Sequence, residues 1–242
     1  MRRRRVALGD DVGMSTVENF TLPAGARRLT VGDDVLDLLP GRAAWWPSHR
    51  TLFVADVHIG KAASFRALGQ PVPSGTTQDN LRRLTALVAQ CQAQRLVVLG
   101  DFLHAATAQQ AQVVEQVQVW RELHDGLDCV LVRGNHDSHA GDPPPSLRFE
   151  VVDEPSPMGP FLACHHPGAR PGGLVLAGHL HPAVALRGPA HDRHRLPCFC
   201  LTQDQLILPA FGAFTGTTLE GLPKAARCYP IAADQVLGPI LA

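Results

Sequence analysis

The sequence has no long hydrophobic run: no window approaches the ~18 continuous apolar residues of a membrane-spanning helix. It also has no excess of either charge, since acidic and basic residues number 22 each among 242 residues. A protein that binds nucleic acid through bulk charge alone is usually more basic than this. A local phosphate site remains compatible with the composition, because two bound divalent cations add about four positive charges. These features predict a globular protein that is not a membrane protein.

The six cysteines show no Cys-x-x-Cys spacing, and most of them lie within apolar runs. This pattern is typical of buried, reduced thiols in a cytoplasmic protein. Cys198 and Cys200 would share one face of a strand, where packing is favoured over metal binding. Only three apolar residues follow the N-terminal run of four arginines, too few for a signal peptide. We therefore predict a disordered extension, or an overcalled start codon, over 1–13, a single domain over 14–242 and a cytoplasmic location.

Apolar periodicity alternates between strands and helices in the first half of the chain. Continuous apolar runs predict strands at 51–55, 95–99 and 129–132. Helical spacing predicts helices at 76–92 and 108–124, the second with Thr107 as its N-cap. This order implies parallel strands joined by right-handed crossovers. Further short strands are predicted at 28–31, 35–38, 149–152, 161–164, 174–177, 198–201 and 206–208, with no long helix among the later ones. The pattern predicts an α/β protein, a mixed two-sheet sandwich with helices outside.

Five short clusters of ligand-type side chains follow these apolar runs in a fixed order. They are Asp56-Val57-His58, Gly100-Asp101, Gly134-Asn135-His136-Asp137, Cys164-His165-His166 and Gly178-His179-Leu180-His181. Because ligands gather at the carboxyl ends of strands in α/β sheets, we expect these clusters to meet in space. Carboxylate and imidazole mixtures suit Mn²⁺, Fe²⁺, Zn²⁺ and, less well, Mg²⁺. The clusters are sufficient to hold two divalent ions, an arrangement suited to in-line attack on phosphorus.

His136 and Asp137 have a different predicted role from the ligands. An imidazole that lies near the metals without binding them can protonate the leaving oxygen. A carboxylate beside it can orient the ring. We therefore predict that His136 is a catalytic acid and that Asp137 orients it.

The ordered set D-x-H, G-D, G-N-H-D, H and G-H-x-H, over residues 54–181, resembles the calcineurin-like metallophosphoesterase superfamily. The resemblance implies a four-layer αββα sandwich with mixed sheets and a dinuclear metal centre. It assigns Asp56, His58, Asp101 and His181 to metal one, and Asp101, Asn135, His165 and His179 to metal two, with Asp101 bridging. Many members have His-Gly where this chain has His165-His166, so the choice between those two histidines as ligand stays open.

The segments around the first two clusters resemble a narrower family, the bacterial ligase-associated DNA damage response endonucleases called PdeM. These segments are 46–47, 55–66, 69–73, 99–104 and 208–212. Residues 100–104 also resemble the second motif of SbcD-type repair nucleases, where a histidine three residues past the aspartate contacts the scissile phosphate. This similarity makes His104 a second catalytic candidate, and the alternative is a histidine at the entry of a helix that is hydrogen-bonded to backbone. The resemblance also favours Lys61 and Arg66 as substrate-binding residues that clamp phosphate, over a place on a solvated face.

The resemblance implies a phosphodiesterase that acts on DNA as an endonuclease, in a repair pathway that includes a DNA ligase and a helicase. Mn²⁺ is the preferred cofactor, with Fe²⁺, Zn²⁺ and Mg²⁺ as alternatives. The main alternative function is hydrolysis of a small phosphoester such as a nucleotide. A lipid-precursor hydrolase is disfavoured because no amphipathic apolar flap is present, and a non-catalytic scaffold is disfavoured because no ligand is missing. The sequence does not predict the oligomeric state.

Overall fold

The computed structural model describes residues 20–72, 75–104, 111–187 and 193–241. The predicted extension over 1–13, the first three residues of the helix predicted at 108–124 and its proposed N-cap Thr107 lie outside these ranges. Within them, no helix combines the length and the apolar character needed to cross a bilayer.

Seven strands of the first sheet follow one another in sequence order within the described ranges. The antiparallel part contains β1 (Arg27–Val31), β2 (Asp34–Leu39), β3 (Ala43–Trp46) and β4 (Thr51–Val54). Parallel to β4 and to one another run β5 (Arg95–Leu99), β6 (Asp128–Val132) and β7 (Phe149–Val152). The helices that accompany them are α1 (Lys61–Ala67), α2 (Thr76–Cys91), α3 (Ala111–Leu123) and α4 (Asn135–Ala140). The predicted parallel order of the first half is confirmed.

The second sheet, as far as the described residues show it, is built from nine strands of the C-terminal half. They are β8 (Ser156–Met158), β9 (Phe161–Ala163), β10 (Leu174–Ala177), β11 (Ala183–Arg187), β12 (Arg193–Leu201), β13 (Gln205–Ile207), β14 (Arg227–Ala232), β15 (Gln235–Val236) and β16 (Ile240–Leu241). Their order is β15-β14-β12-β13-β10-β9-β8, with β11 paired to β12 and β16 to β14. Only β9, β10 and β13 pair in parallel among these described strands, so the sheet is mixed as predicted.

The first sheet is buried on both faces because apolar layers lie on each side of it. In β5, Leu96 and Val98 pack with α2 and α3, whereas Val97 and Leu99 pack with the second sheet. All four side chains are fully buried, and each such burial contributes about 1.5–3 kcal/mol. The prediction, from the continuous Leu/Val run, of a strand covered on both faces is therefore confirmed. The predicted mixed α/β sandwich is confirmed with it.

The outer face of the second sheet has a small apolar cluster of its own. Cys200 and Cys228 are direct partners on β12 and β14, with 3.2 Å between their sulfurs, and the sulfur of Cys198 lies 3.7 Å from that of Cys200. They pack with Val184 of β11 and, less deeply, with Leu222. Within the described residues, the side chains that pack against this cluster come from β11, β12 and loops. All six cysteines are free and buried, as predicted.

The loops after β4, β5, β6, β9 and β10 meet at one edge of the two sheets. The backbone N–H of Asp56 donates to the carbonyl of Gly100 at 3.2 Å, which joins the first two loops. Within the second sheet, the N–H of Gly178 donates to the carbonyl of His165 at 3.1 Å, which joins the loops after β9 and β10. The N–H of His179 donates to the carboxylate of Asp56 at 2.9 Å. The five sequence clusters therefore converge at this edge.

Candidate metal centre

Two buried carboxylates belong to the candidate metal centre. Asp56 is fully buried and Asp101 is 2% exposed. Taking carboxylates out of water is costly unless a cation or several donors face them. Nε2 of His181 lies 3.5 Å from Asp56, and Nε2 of His58 lies 4.0 Å from Asp101. The charge of the carboxylates thus faces imidazole nitrogens.

Asp56, His58 and His181 form the first ligand group, with their ligand atoms within 4.8 Å of one another. Within the described residues, Nε2 of His58 and Nε2 of His181 are buried and have no hydrogen-bond partner. Burial lowers the pKa of His58 far below its usual value, so the ring is held in the neutral form that binds metals. Buried polar atoms in native proteins have partners, and a divalent ion between these nitrogens and the carboxylates would supply one. The residues predicted for metal one therefore fit an ion.

The second ligand group is centred on His165, which is fully buried. Its Nε2 lies 2.8 Å from Oδ1 of Asn135, 3.1 Å from Nδ1 of His179 and 3.5 Å from Oδ1 of Asp101. Its Nδ1 lies 3.1 Å from the carbonyl oxygen of Leu99, which can only accept a hydrogen bond. A proton on Nδ1 would be donated to that carbonyl, which leaves Nε2 as the ligand atom. The residues predicted for metal two also lie together.

His166 points to a different partner. Its Nδ1 lies 2.8 Å from Oε1 of Glu154, and its side chain is 44% exposed. Oε2 of the same carboxylate accepts the backbone N–H groups of His165 and His166, at 2.8 and 2.9 Å. The geometry thus favours His165 over His166 as the ligand. Glu154 itself was not predicted, because it lies eleven residues before His165, outside the cluster that it holds in place.

The ligand loops hold several residues in the left-handed backbone region. The φ angles are +53° at Asp56, +50° at His58, +51° at Asp101, +70° at His179 and +49° at His181. Such conformations cost about 1–3 kcal/mol each in a non-glycine residue, and they persist only where surrounding contacts enforce them. Their concentration in the predicted ligands indicates that the loops are constrained to aim these side chains at one point.

The glycine that precedes Asp101 is required by close packing. Gly100 has a φ of +78°, and a Cβ at this position would lie 2.1 Å from Nδ1 of His165. A Cβ at Gly134 would lie 2.4 Å from Oδ1 of Asp101. The glycines of the second and third motifs therefore let the ligand loops approach one another.

Asp137 has partners different from the predicted one. It is fully buried, and its two oxygens accept the backbone N–H groups of Leu103 and Gly134, each at 3.0 Å. Burial raises the pKa of this carboxyl group. Asp137 thus ties the loop after β5 to the start of α4, and the ring of His136 is oriented by another group.

Replacing Asp137 with alanine is expected to destabilise the protein by about 2–6 kcal/mol. The reason is that two buried N–H groups would each lose an acceptor, at about 1–3 kcal/mol apiece. Urea denaturation followed by circular dichroism measures the change. Asp128→Ala, which removes an exposed carboxylate paired with Arg95 at 3.7 Å, should change the free energy of unfolding by less than about 1 kcal/mol. An Asp137→Ala variant of unchanged stability and reduced turnover would instead support the orienting role.

His136 and His104 form a stacked pair beside the ligands. Nδ1 of His136 lies 2.8 Å from the carbonyl oxygen of His104, and Nε2 lies 4.0 Å from Asp101. The two rings are 4.8 Å apart between centroids and inclined by 25°. Burial, together with the nearby Lys61 and His136, lowers the pKa of His104 to about 4. The pair therefore presents one nitrogen of His136 to the centre, with the other held by a backbone carbonyl.

The predicted phosphate clamps occupy different positions on α1. Lys61 is the first residue of the helix and is partly buried. Burial lowers the pKa of Lys61, whereas the carboxylates of Asp101 and Asp56 oppose that shift. The ammonium group thus lies within the field of the metal centre. Arg66 lies on the last turn of the same helix and is exposed.

Asn80 is a second residue that sequence reasoning did not identify. Its side chain is 4% exposed, and its amide donates to the carbonyl of Val57 at 3.1 Å. Its Oδ1 accepts the N–H of Ala213 at 3.0 Å. Asn80 therefore joins the first ligand loop to the segment after β13. The available signal was a polar residue next to Leu81 on the apolar face of α2.

Comparisons with known proteins find similarity to phosphoesterases and to a nuclease. A family model of the calcineurin-like phosphoesterases matches residues 49–181, a segment that contains every predicted ligand. The crystal structure of the Pseudomonas putida nuclease MPE is 43% identical, covers 89% of this chain and 100% of its own, and has a TM-score of 0.77. YfcE, a phosphoesterase from E. coli, is 17% identical over 79% of this chain and 98% of its own, with a TM-score of 0.40. No curated protein sequence matches the chain.

Proposed function

The chain belongs to the calcineurin-like phosphoesterase family, and we propose that within it the protein is a DNA endonuclease. The family and the ligand groups make it a metal-dependent phosphoesterase hydrolase. One observation carries the site: two buried carboxylates face buried histidine nitrogens that have no other partner among the described residues. The similarity to the Pseudomonas putida nuclease supports a nucleic acid as the substrate, and the segments that resemble the ligase-associated endonucleases favour DNA.

The residues proposed to hold two divalent ions form two groups that share Asp101. Asp56, His58, Asp101 and His181 would hold one ion, and Asp101, Asn135, His165 and His179 the other. When bound, the ions supply Lewis acidity and lower the pKa of water. The oxygen and nitrogen ligand set suits Mn²⁺, which we propose as the ion.

Four further residues would act on the substrate directly. Protonated His136 carries an N–H at both nitrogens, and Nδ1 is held by the carbonyl of His104. Nε2, which faces Asp101, is therefore the nitrogen that can pass a proton to the leaving oxygen. The ammonium group of Lys61 and the ring of His104 would contact the scissile phosphate. Arg66 would contact a phosphate group farther along the DNA strand.

The biological setting is part of the proposal. The segments that resemble the ligase-associated endonucleases support a role in bacterial DNA repair, in a pathway with a DNA ligase and a helicase. Such a role would be exercised in the cytoplasm by one catalytic domain over 14–242.

The proposal predicts that the protein purified in Mn²⁺ nicks circular plasmid DNA and also hydrolyses bis-p-nitrophenyl phosphate. Both activities should be lost with chelator and restored by added Mn²⁺, because the ligand groups alone supply no electrophile. His136→Ala, purified in parallel, should nick plasmid far more slowly and so exclude a contaminating nuclease. Gel electrophoresis and absorbance of released p-nitrophenol measure the two reactions.

The result that contradicts the proposal is a protein that hydrolyses the small diester and never nicks plasmid. That outcome would favour the alternative, a phosphoesterase for a nucleotide or another small molecule. Metal analysis of protein purified without chelator provides a separate check, since a chain that binds no divalent ion would overturn the whole enzymatic assignment.

A further inference from the structure

A line of aromatic rings leads outward from the catalytic histidines. The ring of Phe65, on α1, lies 6.3 Å from that of His104 and is inclined to it by only 26°. The ring of Phe214, in the segment after β13, meets Phe65 edge-on at 5.7 Å. Both phenylalanines are partly exposed, whereas Phe53 and Phe161 of the core are fully buried. Two large apolar rings are thus kept accessible beside the centre.

Phe65 is placed by the same helix that places Lys61. The two residues are four apart on α1, so their side chains lie on one face with about 5–6 Å between the Cβ atoms. Lys61 lies in the field of the buried carboxylates, and Phe65 stacks beside His104. This face of α1 therefore presents a cation and then a flat apolar ring. A nucleotide presents the complementary pair, a phosphate and then a base.

Phe214 is held by a segment that is tied to the centre itself. The N–H groups of Phe211 and Gly212 donate to the carbonyls of Ala55 and Asp56, at 2.8 and 3.0 Å. The next residue, Ala213, is held by Asn80. The backbone immediately before Phe214 is thus fixed relative to the first ligand loop. A ring placed in this way loses little conformational freedom when it contacts a ligand.

We propose that Phe65 and Phe214 form a stacking surface for the base of the nucleotide next to the scissile phosphate. The proposal rests on the DNA endonuclease function proposed above and adds the residues that contact the base. Stacking of one base on an aromatic side chain changes affinity by about 5- to 150-fold. It accepts any base, because every base has a π face. The neutral charge of the chain is compatible with this contact, since stacking needs no basic surface.

The test uses the full-length Mn²⁺-loaded protein and two substrates. For Phe65→Leu, Phe214→Leu and the double variant, KM for a single-stranded oligonucleotide should rise at least about fivefold. The kcat/KM for bis-p-nitrophenyl phosphate, which has no base, should stay within about twofold. Phe65→Tyr, which keeps the ring, should behave as wild type. Leu68→Ala, which removes a side chain that is 78% exposed just after α1, is the control for a lost apolar surface.

Abasic substitutions in the oligonucleotide identify the contact itself. Moving one abasic position along the strand should find a position next to the cleaved bond that raises KM for wild type by the same factor. For the double variant, the abasic substitution at that position should not raise KM further, because the aromatic partner of the missing base is already absent. Equal sensitivity of wild type and double variant at every position would overturn the proposal.

The remaining outcomes separate this proposal from the proposed function. If wild type cleaves the oligonucleotide and the leucine variants cleave it with an unchanged KM, the stacking surface is wrong and the endonuclease stands. If the leucine variants lose activity on both substrates and also lose thermal stability, the rings only hold α1 in place and the stacking proposal is wrong. If wild type hydrolyses the small diester and no DNA, both proposals fall.

Discussion

Replacing Asp101 with asparagine is expected to remove at least one of the two proposed ions and to lower kcat/KM by a factor on the order of 10³. The two oxygens of Asp101 face different ligand groups, with His165 3.5 Å from Oδ1 and His58 4.0 Å from Oδ2. Asparagine keeps the shape and can still accept the N–H of His136, which Oδ1 accepts at 2.9 Å. It loses the charge and one ligand oxygen. The centre would then forfeit several kcal/mol of charge stabilisation, and about 1.4 kcal/mol corresponds to a tenfold change in rate.

Inductively coupled plasma mass spectrometry of the purified protein gives the metal content, and hydrolysis of bis-p-nitrophenyl phosphate gives the rate. Asp128→Asn makes the same chemical change at an exposed position and should leave both unchanged. The bridging assignment would be contradicted by an Asp101→Asn variant that still holds two ions per chain and turns over at nearly the wild-type rate.

The ligand positions could be predicted because they depend on a regular feature of the fold. Strands such as β4 and β5 are recognisable as continuous apolar runs, since each is buried on both faces. Their carboxyl ends lie at one edge whatever the details of the loops, so Asp56 and Asp101 had to lie close together. The same reasoning placed His165 and His179 after β9 and β10. The apolar periodicity and the direction of the strands were sufficient to predict where the ligand residues lie.

Several short elements could not be predicted, because local sequence does not determine them. Helix α4 covers six residues without an apolar stripe, and it begins where Asp137 accepts the N–H of Gly134. Helix α1 has seven residues and starts after Gly60 with no side-chain cap. Strand β14 contains Pro230, a residue that argues against a strand, and it is held by pairing with β12 and β15. One buried side chain fixes the start of α4, and contacts distant along the chain hold β14.

The supporting residues were missed for a related reason. Glu154 accepts a hydrogen bond from the backbone of His165, and Asn80 donates one to the backbone of Val57. Each residue thus acts on a loop that is distant from it in sequence. Such contacts leave no spacing pattern, since any polar residue at the right place in the fold could make them. Asp137 was identified as a functional residue, but its neighbour in sequence suggested the wrong partner. The residue types of a ligand set can be predicted from sequence, whereas the hydrogen bonds that hold those residues in place cannot.

His136→Ala is expected to slow DNA cleavage by about 10²–10⁴-fold and hydrolysis of bis-p-nitrophenyl phosphate by much less. The difference follows from the leaving groups: a DNA sugar oxygen needs a proton as it departs, whereas p-nitrophenol is an acidic phenol that can leave as its anion. His104→Ala should slow both reactions by similar factors, because its proposed contact is with the phosphate that the two substrates share. Neither variant should lose metal, since neither histidine is among the proposed ligands.

His194→Ala removes an exposed histidine of β12 that is not among the proposed ligand or catalytic residues, and it is the matched control. If His136→Ala slows both substrates equally, the imidazole does not act as the proton donor and His136 instead shares the phosphate-contacting role of His104. If it releases an ion, His136 is a ligand, and Nε2, 4.0 Å from Asp101, would have to be counted with the metal groups. The ratio of the two rates therefore assigns the proton, and the metal content assigns the ligands, which no single activity measurement could separate.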